Sequence, residues 1–402
     1  MFPLSVTLEK TGYAMRLRKR ALEIQRKLRE TRMFARAMQS DSHPILVQIV
    51  PIRRCNLDCA YCNEYDRTSD PVPLQTMLAR IDRLADLGAA IITLSGGEPT
   101  LHPDLDAIIR RIRERGAIAT LITNGLLLTP ERIRALNHAG LDYLQISIDN
   151  ARPDDVSKKS LQVLDRKLAW LAEHADFGVT INSVLGAAIH NPHDALAVSL
   201  RARDLGFTST VGILHDQSGQ LAPLGGQQQA VYDQIRKRKA SLFSFAHFDS
   251  FQDNVSRGLP TNWHCRAGGR FLYICEDGLV HYCSQQRGKP GIPLDRYTVH
   301  DIRREAATPK GCAPFCTISC VHQTAMLDDF RERPRETLSG ILARRRDADP
   351  TFQTPALVRA LSWLFLDQRR RGVFGKVALS ALGLKPRNRG MVDPLRRSDS
   401  AD

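Results

Sequence analysis

Cys55, Cys59 and Cys62 stand in the run Arg54-Cys55-Asn56-Leu57-Asp58-Cys59-Ala60-Tyr61-Cys62, a C-x3-C-x2-C spacing held within eight residues. Three thiolates that close together can ligate three corners of a cubane [4Fe-4S] cluster and leave the fourth iron without a protein ligand, open to a small molecule. A four-thiolate site is closed and suits electron transfer or structure. Two readings compete. One is a zinc site, which asks for four ligands and paired CxxC spacing; the other is three unrelated buried thiols. The loop follows an apolar run, Ile45 to Ile49, so it hangs from the end of a strand.

The elements that must position this loop repeat along the chain. Short β-branched or apolar runs at 45–50, 89–94, 117–122, 142–148, 177–185 and 207–214 are bounded by turn residues, as buried parallel strands are. Helical stretches at 74–87, 103–115, 130–139, 160–174 and 193–205 lie between them. Such alternation predicts an α/β protein with a parallel sheet. Ser95-Gly96-Gly97-Glu98-Pro99, Thr123-Asn124-Gly125 and Ser147-Ile148-Asp149 each follow a predicted strand. With the cysteine loop they gather at the C-terminal mouth, where barrel chemistry is done.

Taken together, these four segments resemble the radical S-adenosylmethionine (SAM) superfamily, over roughly residues 43–325. The resemblance implies a partial (β/α)6 TIM-type barrel. It also implies that a cluster on Cys55, Cys59 and Cys62 reductively cleaves SAM to a 5′-deoxyadenosyl radical, which attacks an unactivated carbon. Gly96, Gly97 and Glu98 match the GGEP motif that meets the SAM amino group. Thr123, Asn124 and Ser147 match strand-end positions that reach the ribose and the methionine carboxylate, and Tyr61 matches an aromatic position near the adenine. Leu214, with His215 and Asp216, closes the sixth strand and could touch adenine or substrate. A reductant such as flavodoxin or ferredoxin is the implied electron donor.

Six of the nine cysteines remain: Cys265, Cys275, Cys283, Cys312, Cys316 and Cys320. Phe271 to Ile274 and Leu279 to Tyr282 read as a hairpin turning at Glu276-Asp277-Gly278. Cys265-x12-Gly278-x4-Cys283 resembles the first half of the SPASM or twitch auxiliary-cluster extension, and Cys316-x3-Cys320 resembles its distal pair. One auxiliary [4Fe-4S] cluster is expected on Cys265, Cys283, Cys316 and Cys320, with Cys312 in close competition. Cys275 is either a ligand or a small buried hydrophobe. A four-cysteine zinc ribbon is the competing reading here. His264, His281, His300 and His322 are not assigned as ligands.

An odd cysteine count in two clusters fits metal binding in a reducing compartment rather than a disulfide framework, so a cytoplasmic enzyme is expected. No uncharged apolar run approaches the ~20 residues of a membrane span, and no signal peptide is expected at the N-terminus. The net charge of +14 sits in the ends: residues 1–40 hold 10 Lys or Arg against 3 Asp or Glu, and residues 341–402 hold 13 against 6. The first end predicts a basic amphipathic helix over 13–38, with Leu17, Ala21, Ile24 and Leu28 as its apolar stripe. The second predicts helices over about 354–372 and 374–382, carrying Leu357, Leu361, Trp363, Leu364 and Phe365.

Three readings of the ends compete: packing on the barrel, docking to an anionic membrane surface, and nucleic-acid binding. The expected division is a basic helix at 1–42, a radical SAM core at 43–222, a SPASM/twitch-like auxiliary domain at 223–335 and a basic helical tail at 336–402. The basic ends favour a lipid or isoprenoid substrate at the membrane face. A peptide-modifying maturase is the alternative within the class. Outside it stands a non-catalytic zinc or Fe-S interaction protein that binds nucleic acid.

Overall fold

The structure, a computed structural model, describes residues 4–186, 189–214, 222–237, 250–348, 351–354 and 359. The predicted C-terminal helices lie outside the described residues, as do His215 and Asp216. A helix α1 (Leu4–Gln39) precedes six βα units: β1 (Leu46–Ile52), α2 (Leu74–Asp86), β2 (Ile91–Gly96), α3 (Leu105–Glu114), β3 (Ile118–Thr123), α4 (Pro130–Ala139), β4 (Tyr143–Ser147), α5 (Leu161–His174), β5 (Gly178–Leu185), α6 (His193–Asp204), β6 (Thr208–Ile213) and α7 (Gly226–Lys237). Then follow α8 (Ser250–Ser256), β7 (Phe271–Ile274), β8 (Leu279–His281), β9 (Pro290–Pro293), α9 (Val299–Ala307), α10 (Ser319–Glu332) and α11 (Pro334–Ala348).

The six predicted strands pair in parallel, in chain order from β1 to β6. Their helix-facing residues, among them Ile49, Ile92, Leu94, Leu121, Leu144 and Ile181, are buried in one core with Ile81, Leu84, Ile108, Ile112, Ile133 and Leu168 of the covering helices. Thr129 and Ser160 cap α4 and α5 through their side chains, which fixes where those helices start. This is the partial (β/α)6 barrel, with every motif of interest at its C-terminal rim.

The cysteine-rich α+β segment joins the same sheet. β7 pairs in parallel with β1, Leu46 opposite Phe271, and β8 and β9 continue antiparallel beyond it, giving the order β6-β5-β4-β3-β2-β1-β7-β8-β9. A buried ionic knot secures the join. Arg270, fully buried, donates to the His43 carbonyl at 2.6 Å and to the Ala37 carbonyl at 3.3 Å, and its Nε lies 3.1 Å from Asp328 of α10. Arg266 and Arg331 face the same carboxylate at 3.3 and 3.4 Å. Removing Asp328 would leave the fully buried Arg270 without its nearest counter-charge, and removing Arg270 would take away the closest of the carboxylate's three cations.

The helix α1 forms over the predicted span and beyond it, and its aliphatic stripe faces outward. Ile24 and Leu28 are 55% and 53% exposed and Ala21 is exposed, while Met33, Ala37 and Met38 are buried. The face turned to the protein carries cations instead. Arg29 pairs with Asp142, Arg18 with Asp176 at 2.7 Å, Arg26 donates to the Asp176 carbonyl and Lys19 to the Glu173 carbonyl. Tyr143 donates to Glu30. These acceptors lie just before β4 and β5, at the N-terminal edge of the sheet, so the acidic underside of the barrel draws the arginines in and turns the aliphatic stripe outward. Part of the basic charge thus packs on the barrel. Among the described residues no helix is long and apolar enough to cross a membrane.

Candidate functional site

The cysteine loop leaves β1 and is tied down at each step. Cys55 N and Asp66 O are 3.0 Å apart, Asp66 N donates to the Arg53 carbonyl at 3.1 Å, and Cys62 N donates to the Cys59 carbonyl at 3.0 Å. Cys59 is buried and the other two are partly so. Backbone Leu57 N–H points at the Cys55 sulfur (3.4 Å), Asn124 Nδ2 stands 3.9 Å from it, and Ser157 Oγ lies 3.5 Å from that of Cys59. Burial raises the Cys55 and Cys62 thiols, and the neighbouring thiols add to this. Three partly desolvated thiols with N–H donors aimed at sulfur are a donor set that a positive metal centre would deprotonate and complete.

The Gly-Gly turn at the end of β2 lies against this loop. A Cβ on Gly97 would sit 2.1 Å from the Arg53 carbonyl oxygen, and Gly96 has φ 114°, so only glycines let the two backbones touch. Gly97 N and Glu98 N donate to the Ile52 and Arg54 carbonyls at 3.2 and 3.0 Å. Glu98 is fully buried. Its carboxylate accepts from Thr100 N (3.0 Å), Thr100 Oγ1 (2.5 Å), Thr123 Oγ1 (2.6 Å) and Asn124 N (2.8 Å). Both oxygens are engaged inside the protein. Asn124 in turn donates from Nδ2 to Asn56 Oδ1 at 2.7 Å. The structure therefore brings the GGEP turn, the Thr123-Asn124 strand end and the cysteine loop into one hydrogen-bonded unit. Ser147 ends β4 opposite Asn182, partly exposed at the same rim, and Leu214 follows β6 with its N–H on the Leu185 carbonyl at 2.8 Å.

Tyr61 is held by residues that motif reasoning missed. Its hydroxyl donates to Asp149 Oδ2 at 2.7 Å and accepts from Lys159 Nζ at 2.6 Å, and Lys159 also lies 3.1 Å from Asp149. Asp149 belongs to the Ser147-Ile148-Asp149 motif, but nothing in the sequence marks Lys159 among ordinary loop lysines.

The second cysteine group is assembled from three places. Cys265 precedes β7, Cys283 follows β8, and Cys312, Cys316 and Cys320 straddle the start of α10. Burial raises the thiols of Cys265, Cys283, Cys316 and Cys320, to about 12 for Cys283 and Cys320. Cys316 feels Cys283, Cys265 and Cys312; Cys283 feels Cys265 and Cys312; Cys320 feels Cys283 and Glu64. Cys275, also pushed to about 12 by burial, faces Arg287, Glu276, Asp277 and Arg53 instead.

Backbone carbonyls of the 312–316 loop are gripped by Thr261 N (2.8 Å, to Pro314), Trp263 Nε1 (2.7 Å, to Ala313) and His322 Nε2 (3.3 Å, to Cys316). His322 is stacked between Phe251 and Trp263 at 3.9 and 3.7 Å, and burial pushes its imidazole down to about 3. His264 Nε2 donates to the Ala306 carbonyl at 2.7 Å. Cys275, Asp277 and His281 place ligand atoms within 4.8 Å of one another. His281 Nδ1 accepts from Gly288 N at 2.8 Å, so Nε2 carries the proton and is closed to a metal.

The chain matches the family described as the Radical SAM superfamily over residues 49–215. A PqqA peptide cyclase of Ruegeria pomeroyi is 31% identical over 287 residues, 66% of this chain and 75% of that protein. A PqqA peptide cyclase of Methylorubrum extorquens is 34% identical over 300 residues, 70% and 76% of the two chains. An AdoMet-dependent heme synthase of Methanosarcina barkeri is 38% identical over 138 residues, 33% and 40%. With the thiol triad, the Gly-Gly turn and the strand-end motifs meeting at one barrel rim, the chain belongs to the radical SAM superfamily, in the branch with a SPASM/twitch-like auxiliary extension, whose enzymes use a [4Fe-4S] cluster and SAM.

Proposed function

We propose that this enzyme modifies a peptide, with Cys55, Cys59 and Cys62 holding the catalytic cluster. The single observation that carries the substrate class is the reach of the likeness to PqqA peptide cyclases. Their 287 and 300 aligned residues cannot fit within 49–215, so the likeness runs beyond the barrel. The heme synthase match covers only 33% of the chain. The lipid reading rested on the basic ends, and the inward cations of α1 are engaged with the barrel.

When bound, the cluster and SAM supply a 5′-deoxyadenosyl radical that removes hydrogen from an unactivated carbon. The protein's own residues orient and shield. Glu98 fixes Thr123 and Asn124 behind the cysteine loop and leaves the Gly96–Gly97 backbone for the SAM ammonium. Thr123, Asn124 and Ser147 border the sugar and carboxylate, Tyr61 and Leu214 the adenine. Cys265, Cys283 and Cys316, with Cys312 or Cys320, hold the auxiliary cluster.

The test is anaerobic incubation of the reconstituted full chain with SAM, dithionite, and either synthetic peptides encoded beside its gene or isoprenoid-containing anionic vesicles. A SAM-dependent mass change in a peptide is the expected result. A change confined to the lipid fraction would overturn the assignment.

A further inference from the structure

Lys159 is an ammonium group inside the protein, and the fold has arranged its surroundings with care. The segment after β4 doubles back over the cysteine loop. Ala60 N donates to the Val156 carbonyl at 2.9 Å, Asp149 N to the Lys159 carbonyl at 2.8 Å, and Lys159 N to Ser157 Oγ at 3.1 Å. That same Ser157 hydroxyl touches the Cys59 sulfur. The Lys159 side chain is 12% exposed, and its ammonium lies 5.2 Å from the centre of the Tyr61 ring, which sits between Cys59 and Cys62 in sequence. Asp149 is fully buried and its second oxygen, Oδ1, has no hydrogen-bond partner.

A buried Lys–Asp pair is a poor way to stabilise a fold, because desolvating both charges offsets much of their attraction. The unused Asp149 oxygen makes this pair poorer still. A cation beside a site that gains negative charge has a different use. Lys159 reaches the cysteine loop twice: its ammonium donates to the hydroxyl of Tyr61 at 2.6 Å, and its backbone N–H donates at 3.1 Å to the Ser157 hydroxyl that lies 3.5 Å from the Cys59 sulfur. The ammonium and the carboxylate thus meet on the tyrosine of the cysteine loop itself.

We propose that Lys159 is a positioning residue for the reductive step: a fixed cation, held by Asp149 and Tyr61, that favours the reduced state of the cluster on Cys55, Cys59 and Cys62. This rests on the reading of the cysteine loop given above. The electron comes from an external one-electron donor of the flavodoxin or ferredoxin class. It adds one negative charge to the cluster, and Lys159 lowers the cost of that charge without itself giving or taking a proton.

The experiment is an EPR-monitored redox titration of the anaerobically reconstituted full chain, following the part of the signal that changes when SAM is added. Lys159→Met should cut the reduced fraction at fixed potential about tenfold, a shift of about 59 mV to more negative potential for one electron. Lys159→Arg should hold the wild-type value, and Asp149→Asn, which frees the cation of its counter-charge, should move the potential upward. A Lys159→Met titration that overlays the wild type overturns the proposal. If that variant assembles no cluster, Asp149→Asn decides, and no upward shift there overturns it. A SAM-responsive signal that survives Cys55→Ser overturns the reading of the loop itself, a separate failure.

Discussion

The two cysteine groups solve different problems with the same side chain. Cys55, Cys59 and Cys62 come from one loop, which is tied to itself at Asp66, to the strand ends at Gly97 and Asn124, and to the segment after β4 at Val156, Ser157 and Lys159. The second group draws on a pre-strand residue, a hairpin exit and a helix start, and its loop is gripped from outside by Thr261, Trp263 and His322. Three thiols on one loop are one ligand short of a cubane's four irons. A site built from three segments fastens those segments together. The proposed assignment gives the first group, with three thiols, an open coordination sphere and the second, with four, a closed one.

The sharpest way to break this comparison is to count iron. Cys283→Ser and Cys316→Ser should each lose the auxiliary cluster's iron and leave the SAM-responsive cluster in place, whereas Cys275→Ser should lose none. Of Cys312→Ser and Cys320→Ser, the one that loses the same iron names the fourth ligand. Iron analysis of the purified variants checks this, and equal losses from Cys275→Ser and Cys283→Ser would erase the distinction.

A second prediction concerns the seam between the regions. Arg270→Ala leaves Asp328 buried without its closest cation and should cost about 3–5 kcal/mol, read as the shift in urea midpoint of the full chain. A loss under 1 kcal/mol would mean that the two regions do not stand on this knot.

The smallest effect is on pH. Burial, then Arg270 and Arg36, push His43 down to about 3, and the nearby Asp41 opposes this only partly. Below about 6.5 the unfolded chain takes up a proton that folded His43 refuses. Its contribution is therefore whole above that pH and is lost as the pH falls toward 3. Melting temperatures from pH 7.5 to 5 should fall, and His43→Gln should flatten the slope. An unchanged slope would contradict the burial argument.

Much of the catalytic half was legible because its signals are local. The six apolar runs became β1 to β6 with ends shifted by a few residues, and motifs at strand ends must share a rim. The resemblance supplied Glu98 as a SAM contact, but only coordinates show its oxygens spent on Thr100, Thr123 and Asn124. The roll of α1 was not legible, since helical spacing marks Ile24 and Leu28 as one stripe but not which way it turns, and Asp142 and Asp176, far along the chain, decide which face turns in. Parallel pairing of β7 with β1 has no local signature. Nor does the meeting of Lys159 with Asp149, which depends on the path of the loop over residues 148–160 between β4 and α5.

Cys55, Cys59 and Cys62 are proposed to hold the iron at which SAM is cleaved. The most direct measurement is 5′-deoxyadenosine formed from SAM and dithionite by the anaerobically reconstituted full chain and by Cys55→Ser, Cys59→Ser and Cys62→Ser. The wild type should release it, and each serine variant should fall to background while keeping its auxiliary iron. Undiminished release from any of the three, or zinc in place of iron on the loop, would contradict it.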